Sequence, residues 1–115
     1  MTVSPHQFPV LLTEGAAQDI EGIHRHILDN DGPDRARHVL DQLMAAVESL
    51  SRLPHRGKFP DELLELGIRE YRQVMFKPHR VIYRMMDSQV FIYLIMDGRR
   101  DMQSALARRL LESSG

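Results

Sequence analysis

Apolar residues recur at helical spacing in the first half of the chain and at strand spacing in the second. Ala16, Ile20, Ile23 and Ile27 stand four, three and four residues apart, and Ala36, Leu40, Leu43, Val47 and Leu50 repeat four-three-four-three. Each set lines one face of a helix. Thr13 is placed to cap the first helix, Asp29-Asn30-Asp31-Gly32-Pro33 to stop it, and Pro33 suits the first turn of the second. Leu53-Pro54 closes the second helix. The connection is short, which predicts an antiparallel pair. Gly22 interrupts the first helix at a cost of about 1 kcal/mol relative to Ala.

Phe8 to Leu12, short and apolar, reads as a strand ahead of the helices. Pro54 to Gly67 reads as a loop with one helical turn near 62–65. The period then changes to two. Strands are predicted over about 69–77, 80–87 and 89–96, separated by Lys77-Pro78-His79 and Asp87-Ser88-Gln89, which are short enough for hairpins. Val81, Tyr83 and Met85 point to one side of the middle strand; Arg80, Ile82, Arg84 and Met86 point to the other. The last strand is apolar on both faces, as a covered central strand is. Asp101 can cap a final helix on which Met102, Leu106 and Leu110 share a face. Arg108 and Arg109 fall near its last turn, where cations complement the helix dipole. The order is β-α-α-β-β-β with a short C-terminal helix. That is an α+β fold, with a two-helix hairpin packed on a small, mostly antiparallel sheet in two layers. The second face of the sheet stays open unless another element covers it.

With 115 residues, 43% of them hydrophobic, the chain suits one domain over 1–115 with a core of about 8–112. It has no cysteine, which removes disulfides, thiolate nucleophiles and sulfur-ligated zinc. No apolar run approaches the ~20 residues that cross a bilayer, and no secretory pattern is visible. A cytoplasmic protein without membrane contact is the expectation. The net charge of −1 hides an asymmetry. Residues 69–115 carry nine Lys/Arg against five Asp/Glu (+4), and residues 1–68 carry six against eleven (−5). The basic half implies an anionic partner, nucleic acid or an acidic protein segment.

Catalytic motifs are sparse. His24 and His26 are two apart on a helix and point to different sides. There is no His-Glu-x-x-His, no Gly-x-Ser-x-Gly and no phosphate-cradling glycine loop, so neither metal nor cofactor is expected. Asp97 and Asp101 flank Arg99-Arg100 and read as local ion pairing plus a helix cap. Arg80 and Arg84 form a stripe that reads either as solvated surface or as a partner surface. The sheet aromatics Tyr71, Tyr83, Phe91 and Tyr93 are at least half core, which weakens a base-stacking reader of nucleic acid. His79, beside Arg80, has a pKa suited to proton transfer, though a polar residue in a hairpin turn is the plainer reading.

Several short segments together resemble the RelE/ParE superfamily of toxins from bacterial toxin–antitoxin pairs. They are Leu53-Pro54-His55-Arg56-Gly57, Pro60 with Glu62-Leu63, Gly67-Ile68-Arg69, His79-Arg80-Val81-Ile82-Tyr83-Arg84 and Asp97-Gly98-Arg99-Arg100-Asp101. The last of these resembles the ParE branch more than the RelE branch. The resemblance implies a toxin of a type II system held inactive by a cognate antitoxin, ParD-like or other, in a hetero-oligomer. Operator DNA would be reached only through the antitoxin. ParE-like members poison DNA gyrase by direct binding; RelE-like members are ribosome-dependent mRNA endonucleases.

The RelE-like site carried over by position places Arg72, Arg80 and Arg100 as phosphate binders. Its second basic position on the first hairpin strand falls on Val74 and its tyrosine on Leu106. Arginine stays protonated and cannot replace the missing proton carriers, which leaves His79, with Tyr71 a weaker substitute. The leading expectation is therefore a ParE-like gyrase inhibitor with no confident catalytic residue. Its target contacts are expected from Arg69, Arg72, Arg80, Arg84, Arg99 and Arg100 with the 101–112 segment. The antitoxin is expected to add a strand to the sheet edge, or to lay a helix beside Ile20, Ile23, Ile27, Leu40 and Val47. The alternative is an mRNA interferase using Arg72, His79, Arg80 and Arg100. A binding module that has lost toxicity is a third reading.

Overall fold

Thr13 starts the first helix, its hydroxyl accepting from the Ala16 N–H at 3.2 Å, in a computed structural model that describes residues 7–113. Helix α1 (Glu14–Asp31) runs through the predicted stop at residues 29–31 and ends at Gly32. Gly32 alone connects it to α2 (Pro33–Glu48), at a φ of 90° that residues with a Cβ rarely adopt, and Pro33 opens the next helix. A single 3₁₀ turn, Ser49–Ser51, follows α2 and turns Leu50 fully into the core. The predicted turn in the following loop is α3 (Asp61–Leu64).

The sheet contains β1 (Val10–Leu12), β2 (Arg72–Phe76), β3 (His79–Met86) and β4 (Gln89–Asp97) in the order β1-β4-β3-β2. Only β1 and β4 run parallel. Strand β4 lies between two others, as its apolar faces predicted. Asp87 and Ser88 turn the β3–β4 hairpin, both with positive φ, which matches the right-handed twist of the strands. Two strands are shorter than predicted: Phe8 and Pro9 precede β1, although the Pro9 carbonyl accepts from the Val90 N–H at 2.8 Å, and residues 69–71 precede β2.

One face of the sheet meets the helix hairpin, burying Ala16, Ile20, Leu43, Val47 and Leu50 against Val74, Val81, Tyr83, Val90, Ile92 and Ile95. The second face, left open by the two-layer reading, is covered. Leu63 of α3, with Met102 and Leu106 of α4 (Met102–Ser113), packs on Tyr71, Ile82, Leu94 and Met96. Met102 and Leu106 are 1% and 4% exposed, and burying each contributes roughly 1.5–3 kcal/mol. The fold therefore has three layers.

Tyr83 organises the loop after the hairpin. Its buried hydroxyl donates to the Pro54 carbonyl at 2.7 Å and accepts from the Gly57 N–H at 3.0 Å. Gly57 is required by this approach, because a Cβ there would lie 2.6 Å from the Tyr83 hydroxyl and 2.7 Å from the Gln73 carbonyl.

A bulge in β4 decides how α1 and α4 are held. Ile82 pairs with Leu94 and Tyr83 with Ile92, so Tyr93 is an extra residue on β4. Strand β1 ends opposite Ile92. Beyond it, the backbone groups of Tyr93 and Ile95 face outward without a strand. Asp19 of α1 and Arg109 of α4 take its place. Asp19 Oδ2 accepts from the Ile95 N–H at 2.9 Å, Arg109 Nη1 donates to the Tyr93 carbonyl at 2.8 Å, and the two side chains form a bidentate pair at 2.8 Å. Arg109, expected to serve the dipole of its own helix, instead reaches across to α1. Gly15 makes this possible, since a Cβ there would lie 2.5 Å from Arg109 Cδ.

These contacts set the stability of three variants. Arg109→Met should cost about 2–4 kcal/mol in urea melts, because Asp19 keeps its partly buried charge without its cationic partner. Gly15→Ala should cost about 1–2 kcal/mol in the wild-type chain by displacing Arg109. In the Arg109→Met background it should be neutral or stabilising, as Ala is the better helix former. Tyr83→Phe should cost about 1–3 kcal/mol by leaving the Gly57 N–H and the Pro54 carbonyl unsatisfied.

Candidate functional site

The basic residues of the C-terminal half fall into three groups. The first is structural. Arg80 is 7% exposed. It donates to both carboxylate oxygens of Glu62, at 2.6 and 2.9 Å, and through Nε to Gln73 at 2.8 Å. These bonds hold the Glu62 carboxyl below its ordinary pKa. The expectation that Arg80 and Arg84 form one exposed stripe is thus corrected: they share a face, but Arg80 is enclosed by α3 and ties it to the sheet. Arg99 is exposed yet engaged within its own turn, binding both oxygens of Asp97 at 3.0 and 2.9 Å. Those bonds hold the Asp97 carboxyl far below its ordinary pKa. Asp101 accepts from the Ser104 N–H and hydroxyl and caps α4.

The second group gathers at the β2 edge. Arg69, Arg72 and Arg84 line an open hollow of about 260 Å³ with His55, Phe59 and Glu70. The Arg72 guanidinium lies 4.3 Å from the Phe59 ring centroid and donates to the Gly57 carbonyl at 2.9 Å and the His55 carbonyl at 3.3 Å. Arg84 lies 5.7 Å from the centroid of Tyr71, which packs edge-on against Tyr93. Ring contact and carbonyl bonds orient Arg72 and ring contact orients Arg84, and among the described residues no carboxylate is paired with any of the three. His55 and Phe59 were not expected as site residues. Their signal was the Pro–His–Arg–Gly loop that Tyr83 anchors.

The third group borders a cleft of about 510 Å³ at the opposite edge of the sheet, between α1 and α4 and above the end of β4. Arg100, Arg108, His26 and His79 line it, with Ile23 and Ile27 on its apolar wall. Ile20 and Val47, expected to meet a partner helix, are instead buried in the core, and Leu40 packs against it.

The residues proposed for RNA cleavage do not meet. Arg72 shares the face of Val74 and Val81, whereas Arg80 shares that of Ile82, on the other side of the sheet. Arg100 and His79 border the distant cleft. Val74 and Leu106 fill the two cores. Burial raises the Tyr71 pKa, which leaves less phenolate to take a proton near neutral pH. Among the described residues, no three His, Asp or Glu converge to hold a metal ion, and no helix is long and apolar enough to cross a membrane.

His79 has a buried Nδ1 with no hydrogen-bond partner. Burial lowers its pKa, Asp97 opposes that shift, and His26 adds to it. The fold therefore favours the neutral ring. That contribution is complete above the ordinary histidine value of 6.5 and is lost as pH falls through it toward the lowered value. The urea midpoint should drop between about pH 7.5 and pH 5.5, and His79→Gln should flatten that part of the profile.

Comparison with known proteins accords with this architecture. A family described as the ParE toxin of type II toxin–antitoxin system, parDE, matches residues 10–102. Toxin ParE3 of Caulobacter vibrioides is 27% identical over 100 residues, covering 87% of this chain and 96% of that protein. The fold is shared with a chain of the chromosomal ParDE toxin–antitoxin system from P. aeruginosa, with a TM-score of 0.68 and 21% identity over 80% of this chain and 97% of the other. It is also shared with a chain of the RelBE2 toxin–antitoxin complex from Mycobacterium tuberculosis, with a TM-score of 0.59 and 20% identity over 86% of this chain and 100% of the other. With the matched span running from β1 to the first residue of α4, the chain belongs to the ParE toxin family of type II toxin–antitoxin systems.

Proposed function

We propose that this ParE-family toxin binds DNA gyrase by protein–protein contact, stalls it with DNA cut, and is neutralised by a cognate antitoxin. The observation that carries the target reading is the hollow of Arg69, Arg72 and Arg84. It presents three cations on an edge of the sheet, Arg72 and Arg84 held against rings, with no paired carboxylate among the described residues. One face of Phe59 and one of Tyr71 are already covered by guanidinium groups, which makes the hollow a poor platform for stacking bases and a good one for an acidic protein surface. Arg80 acts in this account by holding α3, and Arg99 by ordering the turn before α4. The antitoxin reading is supported by the toxin–antitoxin complexes that share the fold.

One feature favours the alternative of an mRNA interferase. His55 lines the same hollow as the three arginines, so an imidazole is available there to take a proton. In that reading His55 displaces His79 as the proton carrier.

Purified toxin should inhibit gyrase supercoiling and accumulate cleaved DNA. Reversing charge at Arg69, Arg72 and Arg84 together should weaken inhibition by about tenfold or more, with the circular dichroism of the folded chain retained. His55→Ala should leave inhibition intact. Unaffected supercoiling, with messages cut inside codons in a manner abolished by His55→Ala, would establish the alternative instead.

A further inference from the structure

The cleft between α1 and α4 is shaped by the end of β1. Strand β4 has nine residues and β1 pairs with three of them. Past the bulge, the backbone groups of Tyr93, Ile95 and Asp97 alternate onto the outer edge. The Tyr93 carbonyl is taken by Arg109, the Ile95 N–H by Asp19 and the Asp97 carbonyl by the Arg100 N–H. The Ile95 carbonyl and the Asp97 N–H remain facing the cleft.

Their spacing carries polarity. In a parallel ladder, one residue of the incoming strand donates to the carbonyl before its neighbour and accepts from the N–H after it. An antiparallel pair instead exchanges both bonds with a single residue. At Ile95 the N–H is already used, and at Asp97 the carbonyl is, so antiparallel pairing is half blocked at either position. The two free groups flank Met96 and match one residue of a parallel strand.

Charge completes the description. Of the acids on the cleft, Asp97 is bound by Arg99, Asp19 by Arg109, and Glu112 lies 3.6 Å from Arg109. Arg100 and Arg108 are exposed at the rim, and among the described residues no carboxylate is paired with either. The wall opposite is apolar at Ile23 and Ile27, and among the described residues no Phe, Tyr or Trp ring lines the cleft, whose only rings are the imidazoles of His26 and His79. Three carboxylates, and the lack of a Phe, Tyr or Trp platform, disfavour a nucleic acid here. We propose that the cleft receives an extended, acid-bearing segment of a partner protein as an added strand parallel to β4, with Arg100 and Arg108 pairing its carboxylates. The proposal needs only a protein partner and stands independently of gyrase as the target.

The test is an NMR titration of the full, ¹⁵N-labelled chain with a short capped peptide of alternating Val and Glu, carrying a nitroxide at one end or the other. Saturable binding should shift the Asp97 amide and slow its hydrogen exchange. The Ile95 amide, already bonded to Asp19, should move less. An N-terminal nitroxide should broaden amides toward Ile92, and a C-terminal one those toward Arg100. Arg100→Glu with Arg108→Glu should weaken binding about tenfold. An unmoved Asp97 amide, a reversed nitroxide pattern, shifts confined to the Arg72 hollow, or displacement of the peptide from these amides by oligothymidylate would each overturn the proposal.

Discussion

The pairing of Asp19 with Arg109 over the bulge of β4 is the constraint on which the rest of the architecture depends. A central strand needs partners on both sides, because a backbone amide or carbonyl buried without one costs about 1–3 kcal/mol. Strand β1 supplies partners only as far as Ile92. Asp19 and Arg109 supply them at Ile95 and Tyr93, from helices on opposite faces of the sheet. One ion pair thus ends the sheet, positions α1 and α4 relative to each other and sets one end of the cleft between them. Gly15 belongs to the same device, since it gives Arg109 its path across α1.

A similar economy explains the charge asymmetry. Arg80 and Arg109 consume acidic partners from the helical half, Glu62 and Asp19, so part of the excess positive charge is internal fastening. What remains divides between two edges of the sheet, the hollow at β2 and the cleft at β4. Two separate surfaces suit the target contact and the antitoxin contact proposed above. Their chemistry differs: the hollow holds guanidinium groups against rings, and the cleft offers a free backbone edge flanked by mobile-length side chains.

The helix stripes, the hairpins and the central place of β4 were legible because each is a periodicity of nearby residues. Asp101 as a cap and Asp97 as a local partner were legible for the same reason. The layer of α4 was not placed, because an apolar face shows that a helix packs and not where. The enclosure of Arg80 is not legible in the sequence because its partner Glu62 is 18 residues away, nor that of Arg109 because Asp19 is 90 away. Alternation correctly assigned Arg80 and Ile82 to one face, yet exposure depends on what lies over that face. The groove residues Ile20 and Val47 illustrate the converse: their stripe is the one that the sheet itself covers.

Amide hydrogen exchange at Ile95 and Asp97 tests the central claim most directly. Both amides lie on the outer edge of β4, two residues apart, and only that of Ile95 is bonded to Asp19. The account predicts that Ile95 exchanges at the rate of global unfolding while Asp97 exchanges far faster, and that Asp19→Ala removes the difference. Equal exchange of the two amides in the wild-type chain, or protection of Ile95 that survives Asp19→Ala, would contradict it.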